Sequence, residues 1–203
     1  MDALDNIFSR VSVRAYTDKR ISEDAIHTIL QAAMSGPSCV NSRDWSFIVV
    51  QNRETLRKMA AGNGKPAAPL FTADAAVLIC GDLTRAHSRC PEYWVIDCAI
   101  AGQNMVLAAN ALGIGSVWLG TWPNAARIQA QAELFALPPT LVPHSILAFG
   151  FPQTPHLQLR NLYDPDRVFF ERFEVPESSY LLRVEAIRSR SGISKKKFSA
   201  KNR

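Results

Sequence analysis

Arg10-Val11-Ser12-Val13-Arg14 is the stretch that decides how the rest of the chain is read. In an extended segment side chains alternate faces, so Arg10, Ser12 and Arg14 point one way and Val11 and Val13 the other. The valines suit a core, while the opposite face presents two guanidinium forks flanking a hydroxyl. Planar donors that stay charged at any working pH make that face a receptor for one phosphate or a similar compact anion. The same alternation fits an edge strand with a solvated polar face, and on five residues alone that plainer reading leads.

Working outward, Asp2 is placed to cap a helix from Ala3 to about Ser9, with Leu4, Ile7 and Phe8 on one face. Ser22 caps a second helix through Met34, with Ile26, Ile29, Leu30 and Ala33 at helical spacing. Gly36-Pro37 stops it, and Pro37 to Asp44 is a loop of small polar groups. The β-branched and aromatic run Trp45–Val50 predicts a strand. Arg53 to Ala61 reads as a short helix and Gly62 to Pro69 as a breaker-rich loop. Ala75–Cys80 is a near-continuous apolar strand, as expected when both faces are buried. The longest helix, Glu92 to Leu112, carries Ile96, Ile100, Gln103, Leu107 and Ala111 along one stripe and has the length of a central helix. Ser116–Gly120 is a short strand, Asn124 opens a helix to Phe135, and Ser145–Phe149 is the fourth strand. Helices alternating with four strands define a layered α/β or α+β class. Gly150 to Phe173 reads as an extended arm.

The chain has 203 residues, 47% apolar and 20% charged, which fits one globular domain over residues 1–173 followed by a tail, 174–203. The net charge of +5 lies in that tail, where eight Lys/Arg face three Glu; the first 173 residues balance 15 against 15. The tail holds one amphipathic turn around Tyr180–Ile187 and the Lys195-Lys196-Lys197 run. It reads as a solvated, partly disordered end and not as a nucleic-acid arm. No stretch approaches the ~18 apolar residues of a membrane helix, so no membrane is expected as a partner. The opening MDALDNIFSR carries acids where a signal peptide needs bases, which predicts a cytoplasmic chain. Cys39, Cys80, Cys90 and Cys98 contain no C-x-x-C pair and suggest reduced thiols.

Several motifs fail on inspection. Gly113-x-Gly115-x-x-x-x-Gly120 has the wrong spacing for a dinucleotide fold and opens a strand instead of a helix. Gly62-Asn63-Gly64-Lys65 lacks the Ser/Thr of a P-loop. His87-x-x-Cys90-x-Glu92 has no second cluster to complete a metal site and reads as a polar loop. No nucleophile elbow exists. These readings leave no metal and no catalytic side chain to name.

The pieces nevertheless form a series. Arg10-Val11-Ser12-Val13-Arg14, then Pro37-Ser38-Cys39-Val40-Asn41 running into Trp45–Val50, then Asp97 to Met105, Leu112 to Gly120, and Leu137-Pro138 through Pro143 to Ala148-Phe149-Gly150-Phe151-Pro152 resemble the FMN-dependent nitroreductase family in order and spacing. The resemblance runs from Ile7 to about Phe173. It implies an α+β fold, a central sheet flanked by helices in an arm-exchanged homodimer with two FMN at the interface. It places Arg10 on the phosphate with Ser12 beside it, and Arg14 at the N1/C2-carbonyl edge of the ring. The partner's Pro37, Ser38, Cys39 and Asn41 would cover other parts, Trp118, Leu119 and Gly120 would lie along the isoalloxazine with a backbone N–H toward N5, and Arg160 would be a second phosphate contact. A fixed guanidinium near N1 stabilises the charge that reduction places there.

Three departures stand out. Arg43-Asp44 replaces the usual Gln-Pro, Leu162 stands where a second basic residue is frequent, and the short connection between Gly81-Asp82 and Glu92 leaves out a helical lid. The expected function is ping-pong transfer of hydride from NADH or NADPH through flavin N5 to a small-molecule acceptor such as a nitroaromatic, quinone or enone. Two alternatives stay open: a non-enzymatic FMN-binding redox sensor or flavin carrier, and dehalogenase or flavin-destructase chemistry on the same scaffold.

Overall fold

The computed structural model describes residues 2–154 and 158–173. The tail from 174 onward, with its basic run and the turn around Tyr180, lies outside the described residues. By internal contacts the chain divides into two units, Met1–Arg160 and Asn161–Arg203. The first holds every element that positions the site.

Five α-helices and four strands form among the described residues. Helix α1 spans Ala3–Ser9, with the Asp2 carboxylate accepting from the Leu4 N–H at 2.9 Å. Helix α2, Glu23–Met34, is capped by Ser22, and α3, Arg53–Asn63, by Asn52. Helix α4 is Trp94–Ala111, and α5, Ala125–Leu134, is capped by Asn124. Each cap satisfies a backbone donor that the first turn leaves without an intrahelical acceptor. The segment expected to be a loop after Asn63 instead winds into a 3-10 helix over Lys65–Phe71. Pro66 sits in its first turn, where a missing N–H costs nothing.

Strands β1 (Trp45–Val50), β2 (Ala75–Asp82), β3 (Gly115–Gly120) and β4 (Leu141–Gly150) form one sheet in the order β1-β2-β4-β3. Every pairing is antiparallel. That settles the choice left open by the sequence, in favour of α+β. Period-two alternation divides the core between the sheet's faces. Val77, Ile79, Leu147 and Phe149 pack toward α2 and α4, while Ala76, Leu78, Ile146 and Ala148 pack toward α3 and the 3-10 helix. Helices therefore cover both faces, which is why β2 is buried along almost its whole length.

Helix α4 turns a different face inward than its isoleucine stripe suggests. Trp94, Cys98, Ala101, Met105 and Ala109 are buried, whereas Ile96 is 49% exposed and Gln103 and Ala111 are exposed. Leu4, Ile7 and Phe8 of α1 are likewise exposed. In the second unit, residues 165–167 form a 3-10 turn in which Arg167 pairs with Asp164 at 2.8 Å. No helix among the described residues is long and apolar enough to cross a membrane.

Candidate functional site

The arginine segment lies along the outer edge of β3. The Val13 N–H donates to the Ser116 carbonyl at 2.8 Å, and Ser12 bridges Ser116. Gly115 makes the approach possible, since a Cβ there would sit 2.8 Å from the Val13 side chain. Val13 is buried, Ser12 and Arg14 are exposed, and Arg10 is half-buried. The alternation read from the sequence is therefore present, but as an extended segment bridged at one residue and not as a strand.

Because Ser116 directs its carbonyl outward, alternation along β3 also directs the backbone N–H groups of Trp118 and Gly120 outward, away from β4. The Gly120 carbonyl is already occupied, by Arg127 at 2.8 Å and Asn63 at 3.3 Å. The Trp118 indole turns to the opposite face of the sheet, where a Cβ on Gly102 of α4 would meet its ring at 2.4 Å. There it lies edge-on to His144, with centroids 6.0 Å apart. Burial holds the His144 imidazole down to about 4.

An open cleft of about 790 Å³ borders this edge, lined by Arg14, Trp118, Leu119 and Gly120 on one side and by Lys65 and Pro66 on another. Four residues singled out in the sequence thus share one cleft. Lys65 was not among them. It entered only as the lysine of the rejected Gly62-Asn63-Gly64-Lys65 match, a Gly/Pro-rich run that carries no information about the cleft it borders.

Arg160 anchors to the same segment. Its backbone N–H donates to the Phe8 carbonyl at 3.2 Å and its guanidinium donates to the Arg10 carbonyl. The Arg160 Nε is buried with no hydrogen-bond partner. Burial first, and the Arg160 charge second, lower the Arg10 guanidinium from its ordinary value. The ion pairs among the described residues are Arg20–Asp74, Lys58–Glu54 and Arg167–Asp164, so neither Arg10 nor Arg160 meets a carboxylate there. Two like charges held together without a counter-ion form a place where an anion relieves both repulsion and desolvation.

Pro37, Ser38, Cys39 and Asn41 gather elsewhere, in the loop that leads into β1. The Cys39 N–H donates to the Asp97 carboxylate at 2.9 Å, the Arg43 N–H to the Ser38 hydroxyl at 3.0 Å, and the Arg43 Nε to the Asn41 side-chain Oδ1 at 3.1 Å. Val40, Asn41 and Arg43 have φ of 50°, 55° and 51°. Left-handed conformations at non-glycine residues cost on the order of 1–3 kcal/mol each and persist where surrounding contacts impose them. Beneath the loop Asp44 is buried, with neither carboxylate oxygen partnered. Burial, then the neighbouring Asp97 charge, raises Asp44 from its ordinary value. This loop and Gly120 lie toward the same end of the sheet but on opposite edges, about 14 Å apart across three inter-strand spacings.

The model of the Nitroreductase family matches residues 7–151, and this chain belongs to that family. A protein of Methanothermobacter thermautotrophicus, provisionally named NADH dehydrogenase/NAD(P)H nitroreductase, is 40% identical over 85% of this chain and 88% of its own length. The FMN reductase [NAD(P)H] of Bacillus subtilis is 29% identical over 70% of this chain and 62% of its own. Among solved structures, a Bacteroides thetaiotaomicron protein with the same provisional name as the first matches with a TM-score of 0.78. It is 37% identical, over 84% of this chain and 98% of that one.

Proposed function

We propose that the chain is an NAD(P)H-dependent flavin oxidoreductase that binds FMN along the β3 edge and passes electrons to a small-molecule acceptor by a ping-pong cycle. The observation that carries this reading is the pair of guanidinium groups without a carboxylate partner, Arg10 and Arg160, at the extended segment whose Arg14 lines the open cleft. The residues fit FMN in particular. One cluster of cations with the buried, unpartnered Arg160 Nε suits a single phosphate, and a cleft walled by proline and leucine suits a flat ring. The names of the relatives, nitroreductases and an FMN reductase using NAD(P)H, agree with it.

Bound there, FMN would supply the hydride chemistry between NAD(P)H and the second substrate. The protein contributes position and charge. Arg10, Arg160 and the Ser12 hydroxyl hold the phosphate. Arg14 and Lys65, at the cleft, stabilise negative charge developing on the ring. The outward N–H groups of Trp118 and Gly120 would offer donors to the ring, and Pro66 and Leu119 would exclude water from it.

The second half of the site comes from another copy of the chain. The loop bearing Pro37, Ser38, Cys39 and Asn41 faces the opposite sheet edge from Arg14, and a two-fold dimer lets one copy's loop close the other's cleft. The exposed apolar faces of α1 (Leu4, Ile7, Phe8) and α4 (Ile96) support it, because monomers seldom leave such surface uncovered.

The test is the visible spectrum of the purified protein, before and after anaerobic NADH or NADPH, together with its mass in solution. The expected result is a dimer with bound flavin whose absorbance bleaches within seconds. Flavin that stays oxidised favours a sensor or carrier, and a chain that takes up no FMN overturns the proposal.

A further inference from the structure

Cys90 lies in the turn-rich connection between β2 and α4, and the sequence gives no hint of where it points. In the structure its Sγ is 2.9 Å from the Sγ of Cys39, across 51 residues of sequence. That is only about 0.9 Å longer than a disulfide bond of about 2.05 Å. The His87 Nδ1 lies 3.5 Å from the same Cys90 sulfur. Both partners are held in place by backbone hydrogen bonds: Cys90 N–H to the His87 carbonyl at 3.0 Å, Cys39 N–H to Asp97 at 2.9 Å. Both thiols are half-buried and so are not sealed from small solutes.

The other two cysteines serve as internal controls. Cys80 and Cys98 are fully buried. Burial pushes Cys80 up to about 12 and raises Cys98 as well, which keeps both as unreactive thiols.

We propose that Cys39 and Cys90 form a reversible dithiol–disulfide site, oxidised by hydroperoxides of which hydrogen peroxide is the simplest. The two sulfurs take different roles. The hydrogen bond to Cys90, then burial, then the Cys90 charge and after it the Asp97 and Asp44 carboxylates raise the Cys39 thiol to about 11. Cys90, whose sulfur lies next to the His87 imidazole, is the attacking sulfur. Its thiolate attacks one peroxide oxygen, the O–O bond breaks, and hydroxide leaves and becomes water, giving a sulfenic acid on Cys90. The Cys39 sulfur then attacks the Cys90 sulfur. The S–S bond forms, the S–O bond breaks, and the departing hydroxide takes the Cys39 proton as a second water. Two thiols lose two electrons and hydrogen peroxide gains them. The product ties the loop before β1 to the connection entering α4. It does not depend on the flavin reading, because no flavin atom takes part.

The test uses the full-length reduced protein treated with hydrogen peroxide, alkylated in denaturant and digested with trypsin without reductant. The expected product joins peptide 21–43 to peptide 90–127, two hydrogens lighter than their sum apart from the alkyl group on Cys98; fragment-ion sequencing puts the bridge on Cys90 and the alkyl group on Cys98, Cys80 is alkylated in its own peptide, and the product disappears with dithiothreitol. With Cys39→Ser the linkage is lost and dimedone labels Cys90; with Cys90→Ser both linkage and label are lost. Oxidation of Cys90 to the sulfinic acid without linkage overturns the proposal, as does a bridge through Cys98 or a bridge only between chains. The wild-type linkage is read without any variant, so poor folding of a serine variant does not blunt the result.

Discussion

Two like-charge pairs stand at opposite edges of the same sheet and resolve their repulsion differently. Beyond β3, Arg10 and Arg160 stand close enough for the Arg160 charge to lower the Arg10 guanidinium, with no carboxylate partner among the described residues. Before β1, Asp44 and Asp97 press together in the interior, where Asp44 is 1% exposed and its carboxylate oxygens meet no hydrogen-bond donor. A guanidinium cannot lose its proton at working pH, so the basic pair can be relieved only by an anion. A carboxylate can be relieved by taking up a proton, and burial, then the Asp97 charge, raises Asp44 in that direction. Residual repulsion therefore singles out the proposed anion site at one edge and a carboxyl raised from its ordinary value at the other.

The sharpest way to break this comparison is Arg10→Ala. A charge-assisted hydrogen bond is worth about 1.5–3 kcal/mol, so FMN affinity measured by flavin-fluorescence titration should fall roughly 10- to 150-fold. The melting temperature of the flavin-free protein should stay level or rise, because a repulsion is removed. A fall in that temperature with unchanged affinity would make Arg10 a structural residue and end the contrast.

Next in size is Gly102→Ala, which tests whether α4 holds β3 in place through Trp118. The new Cβ would lie 2.4 Å from the indole, so the ring must move. Overpacking of this kind costs about 1–3 kcal/mol, more than the roughly 1 kcal/mol that alanine returns in helix propensity. Urea unfolding should show the net loss, with a shift in tryptophan emission.

Asp44→Asn should stabilise the protein at pH 7.5 by about 1 kcal/mol, by removing a carboxylate that is costly to ionise. The folded-state value is raised, so the stabilising contribution is fully present below the ordinary value near 3.8 and is lost as pH rises through the folded value. The variant should lack this loss. His144 works the other way: its stability is present above the ordinary value of 6.5 and is lost as pH falls through about 4. Melting temperatures of wild type and variant across pH 4–8 separate the two.

The smallest expected effect is Lys65→Ala. A flexible, exposed ammonium at the cleft is worth below about 1 kcal/mol to binding, so FMN affinity should change less than about fivefold. A larger change would make Lys65 an equal of Arg10.

Much of this was legible in the chain itself. Local signals sufficed wherever the determinant lies within a few residues: the side-chain caps Asp2, Ser22 and Asn124, the four strands, and the alternation that faces Ser12 and Arg14 outward while Val13 is buried. Period and capping are properties of neighbouring residues, so sequence fixes them. What the fold alone decided are pairings across long separations. Arg10 and Arg160 are 150 residues apart, Cys39 and Cys90 51. Asp44 meets Asp97 only because α4 crosses the sheet at the start of β1. The inward face of α4 was misleading for the same reason. Apolar residues surround that helix, so periodicity gave no unique side, and only packing against β2 and β4 chose Cys98, Ala101 and Met105 over Ile96. Charge and thiol chemistry depend on which groups end up within a few ångströms, and chain closure, not local pattern, determines that.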